Sequence, residues 1–317
     1  MPELLEIALK ALGVLAAFLL LPLLVGQLEH KAMAHMQSRL GPMYAGGFHG
    51  WAQLLADGVK FVQKGEAVPA VADRAVYRLA PAVSLLPYLL VLVVIPLGPG
   101  EVASSLDLGL FFALAVSGVG VVGMLMAAWA SANKYSLIGG LRGAAQLLAY
   151  ELPLVLAAVS PAMAAGTLSL TGIVTAWQPW WLLWQLPAAV VFFVAGLAEI
   201  RRPPFDMPIA DSELVFGYLT EYSGLRFALF VLAEYAGIVV VAALTTVLFL
   251  GGWKGPVLPG PVWTLLKVMV LSFVVIWVRV SYPRLREDQL QRLAWLGLVP
   301  LALAQLVLTG VVAVMVA

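Results

Sequence analysis

The chain has 317 residues, of which 62% are hydrophobic and only 11% are charged, and its formal net charge is +1. A soluble globular domain is nearer half apolar and a quarter charged, so the composition excludes a large soluble domain and predicts one membrane domain over residues 1–317. The small net charge gives no reason to expect nucleic acid as a partner. The absence of cysteine excludes disulfides, zinc–thiolate sites and iron–sulfur clusters held by this chain.

Eight apolar stretches are each long enough to cross the hydrocarbon core, which takes about 20 helical residues. They cover residues 5–27, 80–97, 109–130, 144–165, 180–200, 225–250, 262–280 and 292–315. The predicted fold class is therefore an all-α polytopic membrane protein with about eight transmembrane helices. The first stretch has acids ahead of its apolar run and no small-residue cleavage site, so we interpret it as a retained span rather than a signal peptide.

The distribution of Lys and Arg predicts the orientation of these spans. Fifteen of the eighteen basic residues fall in or beside one set of loops, and only Lys10, Lys254 and Lys267 fall on the other side. Because basic residues accumulate in cytoplasmic loops, the first set is predicted to face the cytoplasm, at about 28–79, 131–143, 201–224 and 281–291. Both termini are then outside the plasma membrane of a prokaryote.

The first cytoplasmic loop contains an amphipathic segment, FHGWAQLLADGVKFVQK, which begins at Phe48. One helical face carries Trp51, Leu54, Leu55, Val59 and Val62, while Gln53, Asp57, Lys60 and Lys64 fall largely on the other. This pattern predicts a helix at the membrane interface. Such a helix is either a surface anchor alone or part of a portal for an amphiphilic, lipid-soluble substrate.

Acids are concentrated between Ala198 and Tyr235, which hold six of the seventeen. They are Glu199, Asp206, Asp211, Glu213, Glu221 and Glu234. A seventh, Glu151, follows Arg142 by nine residues, about 13 Å of helical rise into a span. A charge at the centre of a membrane helix costs about 2.5 to 3.5 kcal/mol on insertion scales, so these positions favour a function.

Two interpretations of the acids remain open. They form a chain of protonatable groups that leads from the cytoplasmic loop toward the membrane midplane, or each pairs with an arginine or a backbone group of a neighbouring helix. Lys267 and Arg279, near span ends, are expected to extend to the interface. His30, His35 and His49 share one loop at a spacing that fits no compact metal site, and no dinucleotide fingerprint is present.

Three stretches resemble one known family. AEIRRPPFDMPIADSELVFGYLTEYSG with FALFVLAEY is similar to the signature of the H subunit family of proton-pumping NADH–quinone oxidoreductase, respiratory complex I. WASANKYSLIGGLRGAAQLLAYE agrees with it, as does Q-x-R-x-G-P at Gln37 to Pro42 with ADGVK at Ala56 to Lys60. The resemblance covers nearly the whole chain, and the PFD and TEYSG stretches are its specific parts.

The resemblance implies a subunit that forms the membrane side of a quinone chamber, and quinone is then the substrate. No cofactor is expected on this chain, because flavin and iron–sulfur clusters belong to the peripheral-arm subunits that dock on it. Small membrane subunits and antiporter-like subunits are the other implied partners, together with the lipid bilayer. The implied proton-path residues are Glu151, Glu199, Asp206, Asp211, Glu213, Glu221 and Glu234, and the implied chamber or access residues are Arg39, Phe48, Asp57 and Lys60.

This sequence departs from the family pattern on the quinone side. The usual Glu-Arg-Arg or Glu-Arg-Lys after the first span is Glu29-His30-Lys31, and Asn-Arg-Val-Gly-Pro becomes Met43-Tyr44-Ala45-Gly46-Gly47. Ile209 replaces a usual acid.

Two other functions are considered. The related subunit of a membrane-bound hydrogenase shares the fold but works without quinone, and RRPPFD resembles the quinone-linked branch more closely. A stand-alone ion transporter is expected to show internal repeats with broken helices at matching positions, and none is visible.

Overall fold

The computed structural model describes residues 2–209 and 211–316, and these residues form helices joined by turns and loops. The helices are α1 (Pro2–Met36), α2 (Gln53–Gln63), α3 (Arg74–Val94), α4 (Gly109–Ala130), α5 (Lys134–Ala165), α6 (Leu170–Ala176), α7 (Trp181–Trp184), α8 (Leu186–Glu199), α9 (Asp211–Leu214), α10 (Gly224–Phe249), α11 (Gly260–Ser281), α12 (Glu287–Arg292) and α13 (Val299–Val316). Short 3-10 turns span Phe48–Gly50 and Gly217–Leu219, and a π-helical segment, Leu293–Leu298, joins α12 to α13. The predicted all-α fold is confirmed.

Seven helices of the described residues are long and apolar enough to cross a membrane, and the predicted span at 180–200 differs from them. It consists of the four-residue α7 and the fourteen-residue α8. Pro187 lies at the junction and has no N–H to donate to the carbonyl of Leu183, one helical turn earlier. Hydropathy located the apolar stretch correctly but is blind to this interruption.

Several helices extend beyond the apolar stretches that predicted them, so the loops that were predicted to be cytoplasmic are shorter than expected. α1 continues to Met36, and α3 and α5 begin six and ten residues before their apolar runs. Asp73 accepts hydrogen bonds from Ala75 N and Val76 N, and Asn133 accepts one from Tyr135 N. These caps satisfy backbone donors at helix starts that lie in polar sequence.

The core is built around α10, which contacts α1, α3, α8 and α11. Every residue from Ala236 to Phe249 is buried. Beyond the C-terminal end of α10, Lys267 of α11 donates hydrogen bonds to the carbonyls of Leu250, Gly252 and Lys254, at 2.7–2.8 Å. These carbonyls follow the end of the helix and lack helical partners, so the ammonium caps α10.

The amphipathic helix of the first loop is present as α2, but its faces are not divided as predicted. Leu55, Val59 and Val62 are exposed, as expected for an interfacial face. Leu54, which was assigned to the same face, instead packs toward Gly26 of α1, and Phe61 lies 5.7 Å from the ring of Phe227 on α10. The helix therefore rests on α1 and α10 by one side and presents the other outward.

The α3–α4 pair depends on Gly123. A Cβ built on Gly123 would lie 2.4 Å from the backbone nitrogen of Ser84. Small residues of this kind let membrane helices approach closely, where van der Waals packing holds them together.

Replacing Gly123 by alanine is therefore expected to force the two helices apart and to lower stability by about 1 to 3 kcal/mol. The measurement is the thermal unfolding midpoint of the purified protein in detergent. Gly13→Ala in α1 is the matched control, since a Cβ there meets nothing within 4 Å. Equal midpoints for the two variants would contradict the close-packing account.

Candidate functional site

A buried cluster of charges joins four segments of the chain. Glu29 of α1 accepts a hydrogen bond from Arg202 Nη1 at 3.1 Å and pairs with Arg279 of α11. Arg202 Nε lies 2.7 Å from Glu234 Oε1 of α10. Tyr235 presents its ring to the Arg202 guanidinium at 4.8 Å and its hydroxyl to Glu29 Oε1 at 3.4 Å. We call Glu29, Arg202, Glu234, Tyr235 and Arg279 the buried charge cluster.

The centre of this cluster is almost completely removed from solvent. Glu29 and Arg202 are each 2% exposed. An isolated charge in such a place would cost several kcal/mol, and geometry that pairs each ion with partners offsets the cost. Arg202 has the required planar fork of donors, which reaches two carboxylates at once.

Two further acids, Glu199 and Glu151, lie outside this cluster. Glu199 ends α8 and is half-buried, near Ser117 of α4 and within electrostatic range of Glu151. A Glu151 carboxylate oxygen would be only 3.4 Å from a Cβ on Gly118 of α4. The absence of a side chain at Gly118 thus lets the Glu151 carboxylate lie against α4.

Glu151 is exposed on a mostly apolar face of the chain. Leu148 and Leu152, which flank it on α5, are 70% and 41% exposed, and Val122 of α4 is 49% exposed. A carboxylate facing lipid here would be strongly unfavourable. Its position differs from the buried one that the relay interpretation expects within a single chain.

The acids of the 201–224 loop are held by partners from other segments of the chain. Asp206 Oδ1 lies 3.0 Å from Arg284 Nε, and Glu213 Oε2 accepts from Arg142 Nη1 at 2.5 Å. Glu221 Oε1 accepts from the side chain of Asn133, which caps α5, at 2.6 Å. Asp206 and Glu213 thus pair with arginines, as the second interpretation expects of each acid, whereas Glu221 pairs with an asparagine side chain.

The environments of Asp206 and Glu213 differ. Burial raises the pKa of the Asp206 carboxyl above its ordinary value, and the neighbouring Arg284 opposes the shift only in part. The hydrogen bond from Arg142 lowers the pKa of Glu213, which is half exposed. Burial thus favours the protonated form of Asp206, whereas the hydrogen bond from Arg142 favours the charged form of Glu213. The side chain of Asp211, the remaining predicted acid, is outside the described part of the structure.

Backbone contacts fix the shape of the 201–224 loop. Gln146 of α5 donates to the carbonyls of Ala198 and Phe205, both at 2.7 Å, and so closes the first turn of the loop. Gly217 has a φ of 55°, and a Cβ there would lie 1.8 Å from the carbonyl oxygen of Pro208. Only glycine fits this conformation and this contact.

Two cavities lie under and beside α2. One of about 200 Å³ separates α2 from α1 and α10. Its walls are Pro22, Leu23, Leu54, Asp57, Gly58, Phe61, Ala228, Val231, Leu232 and Tyr235. It is mostly apolar, and Tyr235 connects its wall to the buried charge cluster.

The second cavity, of about 290 Å³, is more polar and brings two predicted residues together. Arg39 and Asp57 line it, with His30, Met33, Pro42 and Gln53. Lys60 lies at the edge, 3.3 Å from Asp57 Oδ1. Phe48 is 81% exposed and lines neither cavity. Asp57 is shared by both cavities.

The sequence did not predict three of the five residues of the buried charge cluster as site residues. Glu29 was noted only as a departure from a family pattern, Arg202 only as a basic loop residue, and Arg279 was expected at the interface. Arg279 instead reaches Glu29, which is 250 positions away in the chain. Lys267 was likewise expected to extend to the interface, but it caps α10. The available signal was that Arg202 follows an acid-bearing span directly.

Replacing Arg202 with glutamine is expected to destabilise the protein strongly, by about 3 to 5 kcal/mol, because Glu29 and Glu234 lose their shared cation while still buried. Arg142→Gln breaks a more exposed pair and is expected to cost less than about 1 kcal/mol. Thermal unfolding of both variants in detergent tests this order. A reversed order would show that the buried charge cluster does not stabilise the fold.

Comparison with known proteins agrees with the resemblance found in the sequence. The model of the NADH dehydrogenase family matches residues 9–310. The H subunit of NADH-quinone oxidoreductase from Geobacillus kaustophilus (strain HTA426) is 45% identical over 290 residues, which cover 90% of this chain and 87% of the relative. The corresponding proteins of Geobacillus thermodenitrificans (strain NG80-2) and of Bacillus cereus (strain B4264) are 44% identical over the same shares.

These matches span nearly all of the helices described above and include the loop acids and the α2 region. All three relatives are named as subunits of a quinone-linked oxidoreductase rather than of a hydrogenase. The chain belongs to the NADH dehydrogenase family and is a multi-pass membrane subunit of an NADH–quinone oxidoreductase, without a complete active site of its own.

Proposed function

We propose that this subunit forms the membrane side of the quinone chamber and the start of the proton-coupling path. The observation that carries the proposal is a line of charged side chains that leads from a cavity wall into the membrane domain. It runs from Tyr235 and Glu29 through Arg202 to Glu234, and Glu199 and Glu151 continue it toward the outer face of α5.

The apolar cavity between α2, α1 and α10 is the proposed quinone site of this chain. Ligand sites for lipid-soluble molecules are mostly apolar with a few placed polar groups, and this cavity has Asp57 and Tyr235 among apolar walls. The polar cavity with Arg39 and Asp57, bordered by Lys60, is the proposed access region. Phe48 lines neither cavity and contributes to access only as part of the exposed surface before α2.

The mechanism follows from the contacts of Tyr235. Reduction of quinone beside Tyr235 changes charge and hydrogen bonding at the cavity wall. Because Tyr235 and Arg202 both contact Glu29, the change alters the pairing of Arg202 with Glu234. The proton affinity of the carboxylates in this line then changes, and a neighbouring antiporter-like subunit completes the proton transfer. Asp206, Glu213 and Glu221 hold the loop in position, and Asp206 also exchanges protons.

The partners follow from the exposed groups. Glu151 on its apolar face requires a polar protein neighbour rather than lipid, which fits a small membrane subunit beside α4 and α5. The 201–224 loop and the first loop face the cytoplasm, and both termini lie outside. The peripheral-arm subunits that carry flavin and iron–sulfur clusters dock on these loops.

Co-purification with the tagged chain tests this assembly, and recovery of the peripheral-arm subunits is the expected result. Recovery of a nickel–iron hydrogenase subunit instead would favour the hydrogenase alternative. A chain that purified alone and stable would favour a transporter.

Filling the apolar cavity is expected to block quinone. Leu54→Trp places a larger side chain in the wall between α2 and α10, so the KM for a short-chain quinone should rise several-fold while NADH–ferricyanide activity is unchanged. Leu55→Trp is the matched control, since the adjacent Leu55 is 51% exposed and lines neither cavity. An unchanged KM in an assembled Leu54→Trp complex would place the quinone elsewhere.

Neutralising Glu151 is expected to lower proton pumping and quinone-linked turnover at least tenfold without loss of assembly, because glutamine has similar shape but cannot carry a proton. The measurement is quinone-dependent acidification of vesicles that contain the complex. Glu287→Gln, an exposed acid of α12, serves as control. Wild-type pumping in Glu151→Gln would remove Glu151 from the path, and failure to assemble would assign it a purely structural role.

A further inference from the structure

The segment that follows α2 is fastened to the start of α10. Glu66 Oε1 accepts a hydrogen bond from the backbone N–H of Arg226 at 3.1 Å, and Glu66 Oε2 lies 2.5 Å from Arg226 Nη1. The hydroxyl of Ser223 accepts a hydrogen bond from Ala67 N at 3.4 Å. We call these contacts, between residues 66–67 and residues 223–226, the α2–α10 clasp.

Glu66 caps α10 from a distant part of the chain. Arg226 is the third residue of α10, and the N–H groups of a first helical turn have no carbonyl partners within the helix. A carboxylate at this place satisfies one of these donors and is also favoured by the positive end of the helix dipole. Because the same carboxylate holds both the backbone and the side chain of Arg226, the clasp has a defined geometry.

The chain between α2 and Glu66 lies directly against the start of α10. A Cβ built on Gly224 would lie 2.9 Å from Lys64 O and 2.9 Å from Glu66 Cγ. Gly224 has a φ of 58°, in the left-handed region that glycine adopts at little cost. Helix α10 therefore begins with the residue type that leaves room for the segment after α2.

Arg226 is braced on a second side by α3. Its guanidinium carbon lies 6.0 Å from the centre of the Tyr77 ring, within the range at which a ring face attracts a cation. The Tyr77 ring is stacked on the Tyr222 ring at 4.1 Å, and the Tyr77 hydroxyl donates to Glu221 O at 2.7 Å. Glu66 therefore pairs with an arginine whose own position is fixed.

The clasp lies beside one end of the apolar cavity between α2, α1 and α10. Phe61 of the α2 wall precedes Glu66 by five positions, and Ala228 of the α10 wall follows Arg226 by two. Phe61 also lies 5.7 Å from the ring of Phe227. Because α2 and α10 form different walls of this cavity, its width depends on the contacts that hold the two helices together.

We propose that Glu66 is a positioning residue for quinone, which holds the end of α2 against α10 at the separation that quinone binding requires. The inference rests on the proposed function, since it takes the apolar cavity as the quinone site. Glu66 is not a wall residue of that cavity and acts through the two helices. Without the clasp, α2 remains attached near its start, where Gln27 Nε2 donates to Gly50 O at 3.2 Å, and its end is released from α10.

The test measures NADH–quinone turnover of the purified complex with a short-chain quinone and separates KM from kcat. Glu66→Arg and Arg226→Glu each place two like charges in the clasp, so each should raise the KM for quinone several-fold while kcat and NADH–ferricyanide activity are unchanged. The double variant restores opposite charges and should return the KM most of the way to the wild-type value. Arg286→Glu is the matched control, since it reverses a charge in an exposed pair with Asp288 and should leave the KM unchanged.

A wild-type KM in either single variant, or a raised KM that the double variant does not restore, would overturn the inference, since opposite charges would then not set the width of the cavity. If a charge-reversed variant does not assemble, Glu66→Gln replaces it. Glutamine keeps an oxygen that can accept from Arg226 N but loses the charge, so its KM should rise by about twofold or more, and an unchanged KM would overturn the inference.

Leu54→Trp separates a failure of this inference from a failure of the proposed function. An unchanged KM in Leu54→Trp would reject the apolar cavity as the quinone site, and the role of Glu66 with it. A raised KM in Leu54→Trp together with a wild-type KM in the Glu66 variants would reject only the role of Glu66.

Discussion

The structure depends on the cost of removing charge from water. Glu29 and Arg202 are each 2% exposed within a chain that is 62% hydrophobic, and they are stable there only because the ions pair across segments distant in sequence. Glu29 lies 173 positions from Arg202 and 250 from Arg279. The same pairing draws together α1, the end of α8, α10 and α11, so the buried charge cluster both organises the helices and forms the candidate pathway.

Surface and interior acids have different roles under this constraint. Glu213 and Glu221 have partners near the surface, where a pair contributes little energy but defines the position of the 201–224 loop. Glu234 and Glu199 lie deeper, where each added or removed proton changes a field that water screens poorly. The Glu151 carboxylate is exposed on an apolar face of the isolated chain, so we expect a polar group of a neighbouring subunit to contact it.

Much of the fold could be predicted from sequence because hydropathy measures the property that decides membrane insertion. The apolar runs, the α2 amphipathic segment and the concentration of acids near residue 200 were all found in this way. The pairing of Glu29 with Arg202 and Arg279 could not be, because a single sequence contains no information on which distant charges meet. The starts of α3 and α5 were missed because Asp73 and Asn133 cap helices within polar sequence, and Leu54 was misassigned because α1 offers it an apolar surface at Gly26.

The cap on α10 has a mechanical consequence. Lys267 fastens the carbonyls beyond one end of this helix to α11, and the residues from Ala236 to Phe249 are packed on all sides. Glu234 and Tyr235 lie in the opposite part, where packing is looser and a cavity adjoins the helix. A movement of α10 during turnover would therefore pivot near Phe249 and displace the end of the helix at Gly224 most.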